Sequence, residues 1–185
     1  MCLLQFDRGL ADFPIGACRT VNDMSADGRP GSGKDAVRFV LEAVARETDV
    51  EEVVREFGPL GRFSNGDAGA ALLGVAAEAL EFGQFTRSDP LRYLDLRERY
   101  LPEVGVSGKN ENYKSDWTLR AVAALAGGVD PGVEDQLRFW RIMDLERWAV
   151  HAVVAYVRAA ADHTGQTVSQ ICVAVAEEHG FALRT

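Results

Sequence analysis

From residue 35 onward, apolar positions recur with a helical period. Val37, Val40, Leu41 and Val44 fall at spacings of three and four and predict one buried face on a first helix. Ser32-Gly33-Lys34-Asp35 supplies its start, with Ser32 as cap and Asp35 in the first turn, where the helix dipole favours an acid. A second helix is predicted over Val50–Phe57, opened by the D-x-x-E pair Asp49 and Glu52 and stopped by Gly58 and Pro59. A third follows in DAGAALLGVAAEALEFGQF, capped by Ser64 or Asn65. Its many Ala and Gly positions allow a neighbour to approach closely, which suits a central helix.

Asp89-Pro90 opens LRYLDLRERYL, since proline is well tolerated in a first helical turn. Residues 102–114 are polar and contain glycine, so they predict a surface loop, after which Ser115 caps DWTLRAVAALA. Gly127-Gly128 ends that helix. The longest helical pattern runs from Gly132 to His163, with a predicted break near Met143 and an end at Gly165. Thr167 to Gln170 is a T-x-x-Q capping box for a last helix, closed by Gly180. No stretch alternates helix with strand. The pattern predicts a single all-α domain over 35–185, a helical bundle or helical array of about seven helices. Residues 1–34 read as an irregular N-terminal arm and loop, with MCLLQF as a short strand or apolar arm.

Composition narrows the chemistry. The chain has 185 residues, 47% hydrophobic and 26% charged, which is globular and long enough for one well-buried core. Cys2, Cys18 and Cys172 are too scattered for a disulfide framework or a metal site, which predicts free thiols in a reducing cytoplasm. No signal peptide is expected, because MCLLQFDRGL has neither a basic opening nor a small-residue cleavage site. Seventeen arginines against three lysines, among many Ala, Gly, Val and Asp, suggest a high-GC bacterial genome. A net charge of −8 argues against a nucleic-acid binder, and no apolar run is long enough to span a bilayer.

Two short motifs raise specific chemistry. Gly28, Gly33 and Lys34 stand at phosphate-loop spacing, but Asp35 replaces the hydroxyl that would bind magnesium and no buried strand precedes them. A helix start explains these residues better. Arg158 and His163 form R-x-x-x-x-H, which resembles the active-site motif of the helical HEPN ribonucleases. The resemblance covers six residues and implies a His and an Arg acting on an RNA backbone. It departs from the family at Ala159, where a polar residue is usual. Thr48–Gly58 resembles the first helix of a helix-turn-helix, but the segment after it is built for burial, so DNA reading is not expected.

The long helix carries the main polar constellation. Asp144, His151 and Arg158 are seven residues apart and fall nearly on one line, flanked by Arg147 and Asp162 and close to Trp140 and Trp148. Such a face either binds an anion and polarises a substrate, with Asp144 orienting the His151 imidazole, or is a solvated surface of weak ion pairs. Tyr113 and Trp117, beside Lys109 and Lys114, form a second candidate binding edge. Glu78 and Glu81 share one side of the third helix, where an outward placement is expected. Only three histidines exist, none at metal-ligand spacing, so no metal and no cofactor are expected. The balance favours a non-catalytic protein-binding factor, such as an inhibitor, immunity or regulatory protein. The alternative is a small enzyme or small-molecule-binding bundle with His151, Arg158 and Asp144 as catalytic residues and Trp140, Arg147, Trp148, Tyr113 and Trp117 as ligand contacts. Candidate partners are a protein, a small molecule or a second copy in a homodimer, with no DNA and no membrane.

Overall fold

A computed structural model describes residues 33–57, 63, 66–82, 99–101, 109–126, 132 and 142–184. Within them lie six helices: α1 (Gly33–Ala45), α2 (Val50–Arg55), α3 (Gly66–Phe82), α4 (Lys109–Ala126), α5 (Ile142–Thr164) and α6 (Val168–Glu178). No strand occurs among the described residues, so the fold is all-α.

The core is built on α3 and α5, whose mutual packing is the most extensive among the described helices. Helix α3 also touches α1, α4 and α6, as a central helix must. Its small residues act unequally. A Cβ at Gly69 would lie 3.3 Å from Leu145 of α5, whereas one at Gly74 would meet nothing within 4 Å. The close approach foreseen from composition is therefore made at Gly69. Helix α5 is buried almost all round between Leu145 and Ala161, with Arg147 and Arg158 the half-buried exceptions. A helix apolar on every face belongs inside a protein. Each Val or Leu fully buried there contributes about 1.5–3 kcal/mol.

Helix α1 buries Val37, Val40, Leu41 and Val44, the face set by their spacing. Asp49 caps α2 by accepting a hydrogen bond from the Glu52 backbone N–H at 3.1 Å. That helix ends at Arg55, short of the predicted Phe57, because the chain turns so that Phe57 can pack into a ring cluster with Phe39 and Phe63. The cluster fixes α2 against α1. The capping box on α6 is present in both directions, Gln170 N–H to Thr167 Oγ1 and Thr167 N–H to Gln170 Oε1.

The polar stretch before Ser115 corrects the sequence prediction. Helix α4 begins at Lys109, so Tyr113 and Lys114 are helical and Ser115 lies inside the helix, not at its cap. A solvent-facing first turn has no apolar period by which to recognise it. Thr118 Oγ1 donates to the Lys114 carbonyl at 2.8 Å, and the register of Thr118, Leu119 and Val122 continues backward through Lys114. The predicted helix over 91–101 falls mostly outside the described residues. Its end, Arg99 and Tyr100, is helical. Residues 1–32 of the predicted arm, with Cys2, Cys18 and Gly28–Ser32, lie outside them, whereas Gly33 and Lys34 belong to α1. The caps Ser64 and Asn65, Trp140 and residues 133–141 also lie outside them, so the described α5 starts at Ile142.

Two helices end in the same way with different residues. After α6, Gly180 N–H donates to the Glu177 carbonyl and Phe181 N–H to that of Ala176, with Gly180 at φ 72°. After α1, Glu47 N–H donates to Val44 and Thr48 N–H to Ala43, with Glu47 at φ 55°. Both are Schellman ends, which need a left-handed residue at the turn. Glycine takes that conformation freely, whereas a glutamate pays about 1 kcal/mol or more. Glu47→Gly is therefore expected to raise stability by about 1 kcal/mol, read as a higher urea midpoint at unchanged slope. No gain would mean that the Glu47 backbone is not strained.

Candidate functional site

Where its side chains are described, the predicted α5 line runs along a seam between elements and not an open face. Arg147, His151, Val154, Arg158 and Asp162 lie within one stripe of α5. At its first level α2 covers it. Arg147 Nη2 donates to Glu51 Oε1 at 3.4 Å, and His151 Nε2 stands 3.8 Å from the same oxygen. Two turns further, Arg158 Nη1 donates to the Tyr100 carbonyl at 2.7 Å. The Tyr100 hydroxyl donates to Asp162 Oδ2 at 2.9 Å, beside Arg99. Burial and this carboxylate both raise the Tyr100 pKa.

His151 is 2% exposed. Trp148 meets it edge-on at 5.0 Å between ring centroids, and the Arg147 guanidinium lies over the Trp148 ring. Burial, and then the positive charge of Arg147, push the His151 pKa down to about 3. The imidazole is therefore neutral at ordinary pH. Its 3.8 Å approach to Glu51 is no ion pair, and neither ring nitrogen has a hydrogen-bond partner among the described residues. The side chain of Asp144 lies outside the described residues, so its predicted role beside His151 has no geometry here.

Between the two polar levels the seam opens into a pocket of about 350 Å³. Its wall combines the strained end of α1 (Val44, Glu47, Thr48), Val53 of α2, Val154 and Arg158 of α5 and Val168 at the start of α6. Four valines make an aliphatic wall. Among the described residues, Glu47, Thr48 and Arg158 are its polar groups, and none that lines it is aromatic. The volume lies near the lower end of small-molecule sites.

No protein-family model, curated protein or solved structure matches this chain.

The other candidate residues scatter. His163 is exposed near the end of α5, and five residues along a helix put it about 140° around the axis from Arg158, so the R-x-x-x-x-H pair does not converge within the chain. Tyr113 is 57% exposed on α4, while Trp117 is partly buried against the core. Glu81 is exposed, but Glu78 is not simply outward: its Oε2 stands 2.7 Å from His179 Nε2 at the end of α6, though without hydrogen-bond alignment. Lys34 and Asp35 are exposed in the first turn of α1. Burial pushes the Cys172 thiol up to about 12, which makes it inert. No three His, Cys, Asp or Glu side chains among the described residues could hold a metal ion, and no described helix is long and apolar enough to cross a membrane.

Sequence reasoning missed Glu47, Thr48 and Glu51 as partners of the α5 line. Only Glu47 left a signal. Thr48 and Asp49 mark a helix boundary there, and the glycine usual at a helix end is missing. Fully buried Glu146, whose Cγ would lie 3.5 Å from a Cβ at Gly69, left none.

Proposed function

We propose that this protein is a small-molecule-binding all-α domain whose ligand sits in the pocket between the end of α1, α2, α5 and the start of α6. One observation carries this reading: Arg158, the guanidinium singled out on the α5 line, lines a 350 Å³ pocket whose wall mixes valines with Glu47 and Thr48. A concave site between helices that combines apolar side chains with a few polar groups is a common form of ligand site. His151 is not its general base. A neutral imidazole with pKa about 3 is too weak a base at neutral pH, and 2% exposure keeps substrate away. Its place in this reading is to pack the seam beneath α2. In this reading the whole is a bundle of about seven helices, and Tyr100, at the end of the helix expected over 91–101, holds Arg158.

A ligand-observed NMR screen of small polar fragments tests this against the wild type and Val168→Trp, whose ring fills the pocket mouth. Several fragments are expected to bind the wild type and to lose binding in the variant, with its circular dichroism unchanged. If no fragment distinguishes the two proteins, the reading falls. A second reading, the protein-binding factor, is favoured by Tyr113, which leaves 57% of its surface in solvent on an acidic chain. Tyrosine is enriched among residues that anchor protein interfaces. Capture of a protein whose binding is lost on Tyr113→Ala, with the pocket empty of fragments, would establish that one instead.

A further inference from the structure

We infer that α2 is an acid-released latch: protonation of His151 frees this short helix from α5 while the α3–α5 core stays folded. The geometry is a cluster of three groups at one contact. His151 is 2% exposed beneath α2, with Nε2 3.8 Å from Glu51 Oε1. Arg147 Nη2 reaches the same oxygen at 3.4 Å, and its guanidinium lies over the Trp148 ring, which meets the imidazole edge-on. Among the described residues, the charged groups that act on His151 are Arg147 from its own helix and Glu51 from α2, with none from α1, α3, α4 or α6. A proton on the ring places a charge in a site closed to water and beside Arg147. Glu51 offsets little of this, because its carboxylate is half in solvent and no hydrogen bond joins it to the ring. Moving α2 aside exposes the imidazole to water and removes the penalty.

Helix α2 is the element that yields. It has six residues, too few to persist as a helix on its own, and buries two side chains, Val50 and Val53. It packs on α5 and, less, on α1, whereas α5 is also held by α3, α4 and α6. Segments with few buried contacts open more readily than a core does. The imidazole makes no hydrogen bond among the described residues, so what it adds to this contact, and a leucine would not, is a site for a proton. The closed form titrates at about 3 and an exposed ring near its ordinary value of about 6.5, so opening takes up a proton throughout the interval between them. Val53 also lines the pocket, so the latch is part of its wall and release of α2 breaches it. The latch itself stands whether or not the pocket holds a ligand.

Native-state hydrogen exchange on the full chain tests this, from pH 7.5 to 4.5 and in low concentrations of urea, with protection taken relative to the intrinsic exchange rate at each pH. The amides of Val53 and Glu56, which donate to the Asp49 and Val53 carbonyls, report on α2. Those of Val153 and Ala155, fully buried on α5, report on the core. The α2 amides are expected to exchange through an opening that urea barely promotes and whose population rises about a hundredfold between pH 7.5 and 4.5. The core amides should stay more protected at every pH and respond steeply to urea. In His151→Leu the acid-induced rise in α2 should vanish. The wild-type data alone can overturn the inference. If the α2 amides share the urea dependence of the core, the helix leaves only on global unfolding and there is no latch. A local opening that changes less than about threefold over this pH range would remove His151 as its trigger. So would a rise that persists in His151→Leu, which would assign it to carboxylates.

Discussion

Between pH 6.5 and about 3 the protein is expected to lose about 1.4 kcal/mol of stability per pH unit through His151 alone. The sign follows from the two states. In the unfolded chain the imidazole titrates near its ordinary value of about 6.5. In the fold, burial and Arg147 hold it to about 3. Within that window the unfolded state binds the proton and the folded state does not, so acid favours unfolding. The contribution is fully present above the unfolded pKa and lost as pH falls through the folded one. Across the window it amounts to about 4–5 kcal/mol, a large fraction of the stability of an ordinary domain. Glu51 does not rescue the charged form, because it is half in solvent and 3.8 Å away. Carboxylates titrate in the same range, so the measurement is a difference. Urea unfolding of wild type and His151→Leu from pH 8 to pH 4 should give curves that diverge below pH 6.5, with the variant losing less. At pH 8 the variant should match or exceed the wild type, because the buried ring nitrogens have no hydrogen-bond partner among the described residues. Parallel curves would show that the imidazole is hydrated in the fold.

Tyr156→Ala is expected to cost about 3–5 kcal/mol, by loss of a buried aromatic ring and the cavity left behind. Tyr156 is 1% exposed and is the largest of the fully buried side chains among the described residues. Its hydroxyl donates to the Leu119 carbonyl of α4 at 3.0 Å, tying α4 to α5 by a polar contact inside the core. That carbonyl lies one turn before the end of the α4 hydrogen-bond ladder, so the side chain supplements a backbone bond already made. Tyr156→Phe should consequently cost only about 1–2 kcal/mol. For a chain of this length each kcal/mol lowers the melting temperature by about 2–4 °C, so the alanine variant should melt roughly 10 °C or more below the wild type. Equal losses for Phe and Ala would place the energy in the hydroxyl instead of the ring.

These two residues lie on one helix and differ in how far the sequence foretold them. The pattern around Tyr156 is apolar on every side, which already predicts burial. His151 sat in a line of charged residues, which predicts either a site or a solvated face. It became neither, because α2 lies over the line at Glu51. That contact joins residues 96 positions apart. No local period encodes it.

The sequence by itself determined what depends on neighbours within a few residues. Apolar spacing set the buried face of α1, Asp49 and Thr167 set two helix starts, and Gly165 and Gly180 set two helix ends. These are local interactions of backbone and side chain, and they act before any packing. The first turns of α4 escaped because a polar helix surface and a polar loop have the same composition. The tertiary structure alone decided which glycine admits α5, that Glu78 meets His179, and that Arg158 borders a pocket with Glu47 and four valines. Each of those depends on how helices distant in sequence are set against one another. That setting comes from the summed burial of the α3–α5 core, to which no single residue holds the key.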